Sequence, residues 1–206
     1  MTLAIIIFPA IIPSVKDNPH PSFELNNITD VQIQLTSNEG WGLSLTEAMM
    51  CGKPIIANVT GGMQDQMRFV DENGKWIDFD ADFCSNHFGK YKQCGDWAMP
   101  VFPSNVSIQG SVPTPYIFDD RTDFREAANA IMKVYELENK ERERRGKLAH
   151  EWVTSDESMM SANNMSKNVI KHIDEVLANW KPRHKFELIK IEQPLKRKHI
   201  RHKLTY

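Results

Sequence analysis

Ser37-Asn38-Glu39-Gly40-Trp41-Gly42-Leu43-Ser44-Leu45-Thr46-Glu47-Ala48 sits where a strand gives way to a helix. Before it, Val31-Gln32-Ile33-Gln34-Leu35 alternates apolar and polar residues, the period of a short strand. After it, Leu45, Ala48, Met49 and Gly52 follow helical spacing and end on a glycine stop. Two glycines and two carboxylates therefore occupy a strand-to-helix corner. Gly40 and Gly42 allow the backbone to approach a ligand closely. The helix start offers N–H groups suited to phosphate or hydroxyl oxygens.

The pattern repeats immediately. Pro54-Ile55-Ile56-Ala57-Asn58 reads as a buried strand, Thr60-Gly61-Gly62 as a turn and Met63 to Phe69 as a short helix. Two adjacent strand–loop–helix units make a right-handed parallel arrangement. Ligands in such sheets bind at the carboxyl ends of the strands, so both glycine loops are expected to line one site.

Residues Ser37 to Gly62 resemble the donor-binding signature of retaining GT-B glycosyltransferases, of the glycogen-synthase and sucrose-synthase type. In that family two glutamates flank seven residues. An apolar helix, Cys-Gly-x-Pro, a short strand and a Gly-Gly loop follow. Here these are Glu39 and Glu47, Cys51-Gly52-Lys53-Pro54, then Gly61-Gly62. The resemblance implies a Rossmann-like α/β fold, a parallel sheet with flanking helices, corresponding to the C-terminal half of a GT-B enzyme. It implies that Glu39 contacts hydroxyls of the transferred sugar. The backbone of Gly40, Trp41, Gly42 and Leu43 would line sugar and phosphate, and Glu47 would hold the ribose hydroxyls of a nucleotide. Gly61 and Gly62 would complete the donor site. A carboxylate facing vicinal hydroxyls makes charge-assisted hydrogen bonds, the stronger kind. The alternative reading of Glu47 is a capping box, Ser44-x-x-Glu47. The family often carries Pro at the position of Ser44, which suits a first helical turn.

The implied reaction is retaining transfer from a nucleotide-diphosphate sugar, with no cofactor. Glycosidases use paired carboxylates flanking the bond. Glu39 and Glu47 do not read as such a pair, and no catalytic residue is assigned. No metal site is assigned, and metal-independent donor binding is expected. Only 38 residues precede Glu39. The family's N-terminal acceptor domain and its diphosphate-gripping Arg and Lys have no room there, so the fold is expected to be incomplete at its N-terminus. An N-terminal glycosyltransferase half, or a partner chain, is the expected complement, and the chain alone is expected to be inactive. The competing reading is a non-catalytic structural or interaction module that kept the fold.

Composition fits an ordinary globular protein: 206 residues, 41% hydrophobic, 25% charged, net charge −2. That balance points to no nucleic-acid partner. Met1 to Pro13 holds an apolar run too short to span a membrane and lacking a preceding Lys or Arg, so it reads as a buried strand. Ser14 to Asn27 reads as a loop. With no targeting segment and reduced thiols, a cytoplasmic location is expected. Four Asn-x-Ser/Thr sequons are then accidental. Cys51, Cys84 and Cys94 form no Cys-x-x-Cys motif. Cys84, His87 and Cys94 could hold a metal only with a fourth ligand from elsewhere, so none is expected.

Residues 1–180 are expected to form the nucleotide-sugar-binding domain, with an irregular aromatic- and proline-rich insertion at about 76–121. This insertion is either a small second core or an acceptor- or partner-binding surface. Three helices should follow. The first is capped by Asp123 and carries Phe124, Ala127, Ala128, Ile131, Val134 and Tyr135 on one face. The second, Lys140 to Val153, has Glu141-Arg142-Glu143-Arg144-Arg145 as a solvated face. The third, Ser158 to Trp180, has an apolar side running from Met159 to Leu177. The tail, 181–206, is basic, with six Lys and three Arg against two Glu. It reads as disordered or loosely docked, or as drawn to an anionic membrane surface or an acidic partner.

Overall fold

The computed structural model describes residues 5–7, 21–78, 84–110, 112 and 116–182. The chain divides into two compact units, 1–166 and 167–206. The first holds a four-stranded sheet in the order β1 (Ile5–Ile7), β2 (Val31–Gln34), β3 (Ile55–Asn58), β4 (Ala98–Val101). Every neighbouring pair is parallel, with Ile33 opposite Ile56 and Asn58 opposite Val101. Between the strands run α1 (Pro21–Asn27), α2 (Leu43–Met50) and α3 (Met63–Met67). The parallel strand–helix–strand–helix unit expected over residues 30–70 is present.

Alternation along the strands puts two cores on the two faces of the sheet. Ile55 and Ala57 join Leu45 and Met49 of α2, with Ala149, Trp152 and Val153 of α5 (Asn139–Thr154). Val31, Ile33, Ile56 and Val101 pack against Ala127, Ala130 and Val134 of α4 (Phe124–Glu136). Helices thus cover both faces, the arrangement of a Rossmann-like domain. The chain just after α2 lies close against α5 because Gly146 carries no side chain. A Cβ on Gly146 would stand 1.9 Å from the Gly52 carbonyl oxygen.

Four expectations are corrected. The segment 14–27 contains a helix, α1, begun by Pro21, whose fixed φ suits the first helical position. The segment 76–121 is not irregular throughout. It supplies β4, the edge strand of the main sheet, and an antiparallel hairpin of β5 (Pro103–Gln109) and β6 (Ile117–Thr122). Its short strands, broken by Pro100 and Pro103, hide the period. On α4, Asp123 caps as expected, accepting from the N–H of Arg125 at 2.8 Å and of Glu126 at 3.1 Å. However, Phe124 is 86% exposed, Ala128 is also exposed, and Ala130 takes a core place instead. On α5, Arg142 is not solvated. It is buried and donates to the carbonyls of Val134 (3.5 Å) and Leu137 (3.0 Å), satisfying the C-terminal end of α4.

In the second unit the described residues continue α6 (Ala162–Asn179), where Val169, Ile170, Ile173, Val176 and Leu177 are each more than half exposed. The expected apolar side of this helix is therefore not buried. Among the described residues no helix is long and apolar enough to cross a membrane. The basic tail beyond 182 lies outside the described residues.

Candidate functional site

The site is built where β2 and β3 end. Leaving β2, the chain turns through residues 35–42 into α2. Leaving β3, it turns through Val59 to Gly62 into α3. The two loops are in backbone contact. The Gly62 N–H donates to the Glu39 carbonyl at 3.3 Å. A Cβ on Gly62 would meet the Gly40 carbonyl oxygen at 2.2 Å. The Gly61 N–H donates to Ser85 at 2.7 Å, tying a third segment to the pair.

Each predicted residue can now be placed. Glu39 is half-buried and its carboxylate is held on both oxygens. Oε2 accepts from Gln34 Nε2 at 3.0 Å and Oε1 from the Trp41 N–H at 3.3 Å. Gln34 is itself fixed, because its Oε1 accepts from Ser44 Oγ at 2.5 Å. Ser44 is therefore inside the helix orienting Gln34, and it does not cap. The N-cap is Gly42, which makes no side-chain cap bond, so the capping box does not form. Gly42 has φ +84°, a left-handed conformation open to glycine. It packs against Met63, Gln34 and Gln66, so the turn itself requires this glycine. Gly40 is exposed, with nothing within 4 Å of a notional Cβ. Leu43 is 69% exposed. Glu47 is exposed on the same helix, one turn beyond Leu43.

Below the loop lies Gln66, fully buried. Its Nε2 donates to the carbonyls of Trp41 and, at 3.1 Å, Gly42, while its Oε1 accepts from Thr46 Oγ1 at 2.9 Å. Thr46 in turn accepts from Trp41 Nε1 at 3.1 Å. One amide thus pins both ends of Trp41-Gly42. A second polar centre is Asp120 of β6, also fully buried. Its carboxylate accepts from Thr60 Oγ1 at 2.7 Å and Asn86 Nδ2 at 2.5 Å, and its N–H donates to Ser37 at 2.8 Å. Asn58 Nδ2 bridges the carbonyls of Thr36 and Asp120, both at 3.0 Å. The hairpin is thereby bonded to both glycine loops.

Sequence reasoning had not singled out Gln34, Gln66, Asn58, Asn86 or Asp120. The available signal was polar residues at positions the strand and helix patterns make buried. A buried polar group needs a partner, and here the partners are the loops.

Asp65 of α3 is partly buried, and loss of solvation pushes its carboxyl up to about 6, with Arg68 opposing and Asp78 adding to the rise. His87 is buried edge-on against Phe69, Tyr91 and Phe102. That burial holds its pKa down to about 4, so it is neutral near pH 7. Cys94 is pushed up to about 12 by burial, while Cys84 is exposed. Among the described residues no group of three His, Cys, Asp or Glu side chains could hold a metal ion.

Residues 17–82 match the family model of the glycosyl transferases group 1. The match is to a segment and not to the chain as a whole. It spans less than half of the chain and contains both glycine loops, Glu39 and Glu47. The Asp120 network and the β5–β6 hairpin bond to the matched segment from outside it. Comparison with curated proteins found no match.

Proposed function

We propose that this chain supplies the donor-binding part of a retaining GT-B glycosyltransferase that draws on a nucleotide-diphosphate sugar. The observation that carries the reading is the joint loop. Glu39 is locked by Gln34 and the Trp41 N–H against Gly61-Gly62 at the carboxyl ends of two parallel strands, the edge where such sheets take ligands. In this reading Glu39 meets hydroxyls of the transferred sugar. The backbone of Gly40 to Leu43 follows sugar and phosphate, and Glu47 takes the ribose hydroxyls. The N-terminus of α2, which has no side-chain cap, faces charge growing on the diphosphate as it leaves. Donor binding is metal-independent and needs no cofactor.

The chain on its own is expected to bind donor without transferring sugar, since positioning donor and acceptor together is a large share of catalysis. A GT-B N-terminal half, or a partner chain, would bring the acceptor. Calorimetric titration of the full chain with UDP-, GDP- and ADP-linked sugars tests the reading. Saturable binding of at least one is expected without added metal. Failure of all three to bind would reject it.

A further inference from the structure

We infer that the cavity between the end of β2, the β5–β6 hairpin and the start of α4 is a second binding site, built for a neutral sugar ring. It is about 600 Å³ in volume, inside the roughly 300–1,000 Å³ range of small-molecule sites. Its walls include Ser37, Asn105, Arg121, Asp123, Phe124 and Arg125. Ser37 precedes Glu39 by two residues, so the cavity adjoins the donor loop. Its walls include the first residues of α4, whereas the donor loop runs into α2.

Phe124 gives the first argument. It begins α4 at a place where helical spacing asks for burial, yet it is 86% exposed and lines the cavity. An open aromatic face suits the apolar C–H face of a sugar ring. The polar groups around it are held in place. Arg121 Nε donates to Ser107 Oγ at 2.6 Å, and its guanidinium lies 4.0 Å from Asp119. Asp123 is fixed by its two cap bonds, both on Oδ1, and Oδ2 takes part in neither. Asn105 adds an exposed amide.

Charge decides between ligand classes. A wall of guanidinium alone would fit a phosphate. Here Asp123 shares the wall with Arg121 and Arg125, and Asp119 lies 4.0 Å from Arg121, so carboxylate offsets guanidinium and an anion gains little. Hydroxyls both donate and accept, so a neutral polyol can use the arginines, Asp123 and Asn105 together. The inference does not depend on nucleotide binding at Glu39.

Amide NMR spectra of the full chain, recorded during titration with glucose, galactose, mannose and N-acetylglucosamine, test it. At least one sugar is expected to shift resonances of Ser37, Asn105, Phe124 and Arg125. Phe124→Ala is expected to weaken that binding roughly tenfold, the loss of one stacked face. Phe124 is exposed, so the variant keeps its fold. Asn105→Ala, also on the surface, is expected to weaken it less. The inference is overturned if no sugar shifts these resonances, if Phe124→Ala binds as well as the parent, or if inorganic phosphate moves them as strongly. Shifts gathered instead at Glu39 and Gly62 would also overturn it, and would mark a sugar bound in the donor loop.

Discussion

Gly61 stands directly against Glu39. With φ +47°, its missing Cβ points at the Glu39 carbonyl, and a methyl there would lie 2.0 Å from that oxygen. The two loops can share an edge only because this position has no side chain. The same contact is repeated one residue on, between Gly62 and Gly40. The glycines of the second loop are thus packing residues for the first.

Gly61→Ala should therefore part the loops. The clash is with backbone, which cannot rotate away, and the φ value adds strain. A loss of about 2 kcal/mol or more is expected in urea unfolding. Nucleotide-sugar affinity should fall further than stability, because Glu39 moves with its carbonyl. Gly74, also at positive φ but with open space around it, is the control. Gly74→Ala should show only the smaller strain cost.

Asp120→Ala should loosen the hairpin from the site. It leaves Thr60 Oγ1 and Asn86 Nδ2 buried without their acceptor. Each orphaned group costs about 1–3 kcal/mol. Amide hydrogen exchange is expected to quicken along β6 and at Thr60 to Gly62, with β1–β2 pairing little affected. Unchanged exchange at Thr60 to Gly62 would contradict the bonding of hairpin to loop.

The two glutamates should divide the donor between them. Glu47 is exposed on α2 and assigned to ribose, while Glu39 is fixed in the loop and assigned to sugar. Glu47→Ala is expected to weaken free nucleotide, and Glu39→Ala to weaken the sugar-bearing ligand more than the nucleotide. Each loss should be about 1.5–3 kcal/mol, that of a hydrogen bond to a charged group. Calorimetry with both ligands on both variants checks this. Equal losses throughout would remove the division.

Gln34→Leu gives an independent check on the loop. It strips one hydrogen bond from the Glu39 carboxylate and leaves Ser44 Oγ without its acceptor. The expected result resembles Glu39→Ala in ligand selectivity but is smaller.

The sheet and both glycine loops were legible because their signals are local: alternating or apolar runs, then glycines, then helical spacing. What escaped was set by long-range contacts. Arg142 sits in a charge run that reads as solvent-facing, and only the fold brings the carbonyls of Val134 and Leu137 to it. Phe124 has the right spacing for the core, yet it stands exposed on the first turn of α4 while Ala130 is buried. β4 is four residues with a proline inside, and its pairing with β3 is invisible without the partner strand. For the site, the resemblance named the two glutamates, and the structure places Glu39 at the joined loops and Glu47 exposed on α2. Gln34, Gln66 and Asp120 were missed because their partners, Glu39, the Trp41 and Gly42 carbonyls, and Thr60 and Asn86, are brought to them only by the fold.

Asp65 makes stability depend on pH. Its carboxyl is raised from 3.8 to about 6 in the folded chain, chiefly by burial. The folded state therefore holds a proton that the unfolded chain has released between those values. Where the unfolded state binds fewer protons, stability falls as pH rises. The Asp65 contribution is thus fully present below about pH 4 and is lost as pH climbs through 6. Asp65→Asn keeps the shape without the ionisation. Its stability should match the parent at low pH and exceed it at pH 7 by about 1 kcal/mol, allowing for solvent screening of a partly exposed group. His87 acts in the opposite sense. Its lowered pKa favours the folded state above about 6.5, and that advantage is lost as pH falls toward 4. The Asp65→Asn difference is therefore to be read as parent against variant at each pH, which cancels the histidine. Urea unfolding of both proteins from pH 4 to 8 measures it. A difference that stayed constant across that range would show that Asp65 does not titrate as its burial requires.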